Sequence, residues 1–251
     1  MRKFSKNIFY IIGLCVISAS GVNAQAQNPS FVSTNIIKTT DVTSWGISDR
    51  EVETLGDVAI LKKINFAQNR QIIEAAANNN DSNAQYFMGL NAGNGATGSA
   101  DKARIWFKKA AALNNKYALY ALGFEIMGSA GNVKQAMPAI QYYEKAANLG
   151  HLEAMVELGR IYNKGTELPI PANPTKAFNY YNKAIVSGSE QAKIDVAYAY
   201  LEGKGVKLDK AKAKQMLIEI GRADTEIGEL ARNSLLEEFN LDCAKSPNQC
   251  K

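Results

Sequence analysis

Four stretches of the chain repeat one small-residue pattern, and that repetition limits the folds open to it more than any other feature. AQYFMG (84–89), ALYALG (118–123), AMVELG (154–159) and AKIDVA (192–197) each open on an alanine and close on glycine or alanine. A second set joins a bulky pair to small or apolar residues: WFKKAA (106–111), YYEKAA (142–147), YYNKAI (180–185) and MLIEIG (216–221). Ala103, Ala139, Ala177 and Ala213 stand three positions before these pairs. From Trp106 to Ala118, Tyr142 to Ala154 and Tyr180 to Ala192 the step is 12 residues each time. The period is 34, then 36, then 38, so the variation falls between the two sets, where a loop absorbs it.

Each unit therefore reads as two helices, A and B. The small residues of A let its partner approach closely, and B carries the bulky pair. Glycine-rich turns join them: NAGNGATGSAD (91–101), MGSAGN (127–132), NKGTELPIPANP (163–174) and LEGKGVKLD (201–209). The Gly-Lys-Gly in YLEGKGVKLDKAKA (200–213) raises the question of a phosphate loop. Such a loop follows a strand and ends in Gly-Lys-Ser/Thr. Here Val206 follows Gly205, and the stretch reads instead as a helix-to-helix turn with Asp209 capping the next helix.

These anchors together resemble the Sel1-like repeat, a relative of the tetratricopeptide repeat. The parts that carry the resemblance are YLEGKGVKLDKAKA (200–213), AMVELGRIYNKG (154–165) and AIQYYEKAANLG (139–150). It covers residues 82–221. An apolar half-repeat precedes it within 57–81, where Ile72 of NRQIIEAAANNN (69–80) stands 12 residues before Ala84. The first unit departs from the pattern in its polar turn without Val-x-x-Asp. The second has Pro138 where lysine is usual, which places the start of its B helix close to that proline. The resemblance implies an all-α fold, a right-handed α-solenoid of about four helix-turn-helix repeats with half-repeat and capping helices. The cap falls on 225–241, with Ile227, Leu230, Leu235 and Phe239 as its apolar face, within a closing segment 222–251.

The first residues read as a signal peptide over 1–24. Arg2, Lys3 and Lys6 precede an apolar run, IFYIIGLCVI (8–17), and then small residues. Leu14 before Cys15 argues against a lipoprotein. The expected location is periplasmic or secreted, without stable membrane insertion once the signal is removed. Removal takes the formal charge from +5 to about +2, which disfavours nucleic acid as a partner. Cys243 and Cys250 remain in the tail DCAKSPNQC (242–250). In an oxidising compartment they are expected to form one disulfide, with a pair of free thiols as the alternative. Residues 25–56 lack the repeat signal and read as extended or partly disordered, with a short helix started by Ser48 and Glu51 in a capping box.

Nothing in the sequence carries catalysis. His151 is the lone histidine, read as an exposed turn residue, so neither a metal site nor a cofactor is expected. Glu237-Glu238 and Lys108-Lys109 read as solvated faces. By resemblance to tetratricopeptide repeats, one stripe of each A helix lines the inner groove. It selects Tyr86 and Leu90; Tyr117, Tyr120, Phe124 and Met127; Val156, Arg160 and Asn163; and Ile194, Tyr198 and Leu201. Tyrosine and arginine are favoured at binding hot spots. The groove therefore points to another protein as partner, for a non-enzymatic scaffold, an adaptor in envelope signalling or secretion, or an immunity-type inhibitor. The alternatives are a cell-wall glycan-binding protein or a cell-wall hydrolase. Residues 31–48 are a candidate internal occupant of the groove, and the loop 166–174 is a second candidate contact.

Overall fold

The computed structural model of the chain describes residues 42–94, 98–164, 170–243 and 245. The expected signal peptide, residues 25–41 and Cys250 lie outside them. Among the described residues a 3-10 turn, Val42–Trp45, leads into α1 (Asp49–Thr54), α2 (Asp57–Lys63) and α3 (Phe66–Asn78). Four hairpins follow: α4 (Ser82–Gly93) with α5 (Ala100–Ala112), α6 (Lys116–Ser129) with α7 (Val133–Asn148), α8 (Leu152–Lys164) with α9 (Pro174–Val186), and α10 (Glu190–Glu202) with α11 (Lys210–Gly221). α12 (Glu226–Phe239) packs on the last hairpin. Each helix packs chiefly on its neighbours in sequence, the arrangement of an all-α solenoid.

The constant 12-residue step has a local cause. At each junction one residue takes the left-handed conformation: Asn80 (φ 65°), Asn114 (φ 59°), Gly150 (φ 84°) and Gly188 (φ 97°). Asparagine and glycine tolerate this region best. The next residue donates its N–H to a carbonyl five positions back: Asp81 to Ala76, Asn115 to Ala110, His151 to Ala146 and Ser189 to Ala184. Its side chain then accepts the N–H of the anchoring alanine three positions on. The distances are 2.8 Å at Asp81, 3.0 Å at Asn115, 3.3 Å at His151 and 3.2 Å at Ser189. One motif thus ends a B helix and caps the next A helix. It also corrects the reading of His151 as an exposed turn residue. His151 is 3% exposed, because the capping position faces the unit before it.

Within each hairpin the small residues act as expected. Ala84, Ala118, Ala154 and Ala192 are fully buried. Gly89, Gly123 and Gly159 lie flat against the rings of Phe107, Tyr143 and Tyr181, so close that a Cβ on any of them would overlap the ring. In the fourth unit Ala197 and Leu217 take these places, both buried. The Gly-Lys-Gly stretch is a turn. Gly203 ends α10 in the left-handed region, and Asp209 accepts the N–H of Lys212 to start α11.

Four local readings change. Pro138 lies inside α7, five residues past its start. Asn132 caps Gln135 while the Gln135 side chain accepts from the Gly131 N–H, so a turn forms ahead of the proline. Ile72 is 55% exposed, and Ile73 is buried in its place, with Phe66 and Ala77 of the same helix. Leu230 of α12 also faces outward, with Ala231 buried in its place beside the expected Leu235. Residues 42–56, read as extended or partly disordered apart from a short helix from Ser48, hold the 3-10 turn as well as α1. Ser48 does form the capping box with Glu51, which starts α1. Val42 and Ile47 are fully buried beside Ile60 and Phe87, and Trp45 meets Phe87 edge-on. Among the described residues no helix is long and apolar enough to cross a membrane.

Candidate functional site

The stripe of A-helix residues divides into three parts. At its start, Tyr86, Leu90 and Tyr117 are buried, because α1 and α2 lie across them. The Tyr117 hydroxyl donates to Asp49 of α1, and Lys116 bridges Asp49 at 3.2 Å and Glu53 at 3.3 Å. At its end, Ile194 is buried in the core that α12 closes, and Tyr198 pairs its hydroxyl with Ser234 of α12 at 2.9 Å; Leu201 is also buried. Between these ends the face is open. Phe124 is 65% exposed, Tyr120 and Met127 are half-buried, and Arg160 is exposed and ion-paired to Glu157 at 2.9 Å. Asn163 is half-buried beside Tyr181, and Val156 is likewise half-buried.

Aromatic rings run across the unit boundaries from the covered start to the open centre. Tyr86 packs on Tyr117 with centroids 5.5 Å apart, and Tyr117 meets His151 edge-on at 5.6 Å. His151 stacks on Tyr120 at 4.5 Å, and Tyr120 touches Tyr143 and Phe124. Such contacts add to what area burial alone contributes. Burial keeps the Tyr117 and Tyr120 phenols protonated far above the usual range.

Below Phe124 these rings wall a cavity of about 530 Å³, completed by Val52, Leu55 and Ile60 from α1, the loop after it, and α2, and by Phe107 of α5. One end of the cavity is polar. Glu53, His151 and Glu153 bring one donor atom each to within 4.8 Å of one another. Burial pushes His151 down to about 3, with Lys116 nearby adding to the effect, so its imidazole is neutral. Burial pushes the Glu153 carboxyl up to about 7, and its Oε2 is buried without a hydrogen-bond partner. In donor type the three residues fit a divalent cation. Lys116 already neutralises Glu53, however, and His151 Nδ1 already caps Ala154.

The sequence pattern did not single out Glu53, Glu153 or Phe107. Glu53 lies on α1, outside the repeats, and meets Glu153 only through the fold. Phe107 belongs to a B helix and reaches the A-helix face because Gly89 leaves room for its ring. The recurrence of the bulky pair was the one signal that marked it.

The Sel1 repeat matches the chain four times, over residues 82–115, 116–151, 152–188 and 191–220, more than half of its length. Human eukaryotic elongation factor 2 kinase is 37% identical over 86 residues, 30% of this chain and 11% of that protein. HRD3 of Candida glabrata, an ERAD-associated E3 ubiquitin-protein ligase component, is 31% identical over 113 residues, 45% of this chain and 13% of that protein. The chain thus spans only about a tenth of these relatives. Among solved structures, a Sel1 repeat protein from Oxalobacter formigenes superposes with a TM-score of 0.54 at 24% identity, over 64% of this chain and 47% of that one. The Escherichia coli protective antigen c5321 also gives 0.54, at 27% identity, over 75% and 42%. The four hairpins with their shared junction motif, and the four matches that fall on them, make this chain a member of the Sel1 repeat family.

Proposed function

We propose that the chain is an exported scaffold that binds another protein on the open centre of its A-helix face. It acts by holding or occluding that partner, as an adaptor in envelope signalling or secretion or as an immunity-type inhibitor, and not by turnover. The observation that carries this reading is Phe124, which stands 65% exposed on Tyr120 at the mouth of the cavity. A large apolar ring left in water between two packed ends supports the reading of this face as a partner-binding surface. HRD3 is by its name a component of a ubiquitin ligase, which supports a protein as partner. Export rests on residues 1–24. A disulfide between Cys243 and Cys250 belongs to the same reading, and Cys243 packs at the edge of the C-terminal core, where such a loop would be anchored.

Crosslinking in a fractionated envelope extract, with the wild-type chain and Phe124→Ala as baits, tests the reading. One dominant protein is expected with the wild type, and about tenfold less with the variant. The exposed position of Phe124 leaves the helical circular-dichroism signal unchanged. Equal capture by both baits would sink the assignment. Retention of the wild type on insoluble peptidoglycan, with no protein captured, would support the carbohydrate alternative instead.

A further inference from the structure

The cavity below Phe124 has a charge bias that its apolar walls do not explain. The charged residues that line it, Glu53, Asp57, Glu125 and Glu153, are all carboxylates. Two are neutralised from behind the wall: Lys116 reaches Glu53 at 3.3 Å, and Arg104 Nε holds Glu125 at 2.7 Å. Among the described residues Asp57 and Glu153 have no such cation. Asp57 stands on the exposed rim at the start of α2. Glu153 is half-buried, its side chain 35% exposed; its Oε2 is buried and accepts no hydrogen bond, Lys116 acts on it from beyond ion-pair distance, and the nearest imidazole, 3.6 Å away, is neutral. A carboxylate in that position is unfavourable until something supplies the opposite charge. Much of the remaining wall is aromatic, with aliphatic residues between the rings of Tyr86, Phe107, Tyr117, Tyr120 and Phe124. Their faces accept both an apolar body and a cation.

We propose that this cavity takes a basic side chain, arginine or lysine, next to an aromatic or large aliphatic one on an extended segment of the partner. The proposal rests on the protein-binding reading and gives that partner its chemistry. The cation reaches Glu153 from the rim past Asp57, and the neighbouring apolar side chain lies on Phe124 and Tyr120. About 530 Å³ is within the usual range for a ligand cleft and leaves room for both. An acidic segment meets only like charge. A bare metal ion fits less well, since Lys116 already occupies Glu53 and Ala154 already occupies His151 Nδ1.

Three fluorescein-labelled nonapeptides in a Gly-Ser background, alike except for a central Phe-Arg, Phe-Glu or Ser-Arg pair, are titrated against the full chain by fluorescence anisotropy. The Phe-Arg peptide is expected to bind about tenfold tighter than either of the others. Glu153→Gln should remove most of that preference, while Glu237→Gln, exposed on α12 and outside the cavity lining, should leave it intact. Thermal melts of both variants show that the fold is kept. Equal binding of the three peptides, no binding at millimolar concentration, or an unchanged Phe-Arg affinity in a folded Glu153→Gln protein would overturn the proposal. If envelope crosslinking still captures a protein that depends on Phe124, only the cavity assignment fails. If nothing is captured, the protein-binding reading fails with it.

Discussion

Gly159→Ala is expected to destabilise the chain by about 1–3 kcal/mol. The direction is opposite to helix propensity, which favours alanine over glycine by about 1 kcal/mol in a helix interior. Packing decides the sign. A Cβ at position 159 would overlap the ring of Tyr181, which is 2% exposed and held by the core. The ring has nowhere to go without moving α9 away from α8. Gly128→Ala is the matched control. It lies near the end of α6 with nothing within 4 Å of an added Cβ, so the change should be neutral or mildly stabilising. Urea unfolding midpoints read both. If Gly159→Ala proves as harmless as Gly128→Ala, close packing is not the reason for the recurring glycine.

The second large effect is a loss of stability in acid that runs through His151. Its folded-state value is depressed from 6.5 to about 3, so the unfolded chain takes up a proton across that window and the folded chain does not. The stabilisation is complete above pH 6.5 and is lost as the pH falls toward 3, by at most about 1.4 kcal/mol per pH unit. Glu153 has the opposite sign. Its value is raised from 4.5 to about 7, so its contribution is present below pH 4.5 and is lost as the pH rises through 7. Between pH 4.5 and 6.5 the two oppose each other, and below 4.5 His151 alone acts. His151→Asn keeps the capping role that Asn115 performs one unit earlier. It should flatten the decline below pH 4.5 in chemical denaturation, while lowering stability at pH 8 through lost stacking on Tyr120. Glu153→Gln should raise the melting temperature at pH 8 and make no difference at pH 4. An unchanged acid slope in folded His151→Asn would remove His151 from the account.

The repeat was legible because its determinants are local. An alanine that receives the capping bond, a glycine that faces a ring and a constant step to the next unit all leave periodic marks in sequence. The groove stripe was legible as a set of A-helix residues on one face. Its division was not, because what covers Tyr86 and Tyr117 is α1 and α2, and what covers Ile194 and Tyr198 is α12, all outside the repeats. His151 was misread for a related reason. Asparagine, aspartate and serine are familiar helix caps, whereas a histidine that caps through Nδ1 resembles any turn residue until its neighbours in space are known. The carboxylate-lined cavity draws its four charges from α1, α2, α6 and α8, and no spacing in the chain brings those together.

The junction motif bears on how such a chain can change over time. Every boundary between units is closed by the same short ring of backbone bonds, and the residues available to it are few: a left-handed asparagine or glycine, then a short acceptor or a histidine. Insertions at that point would break the ring and shift every later unit. The opposite edge, where A turns into B, obeys no such rule, and the growth of the period from 34 to 38 residues is recorded there. Selection can therefore lengthen or rewrite the outer edge of one unit while its neighbours keep their register. New recognition loops would be acquired there one unit at a time, leaving the buried alanines and glycines unchanged.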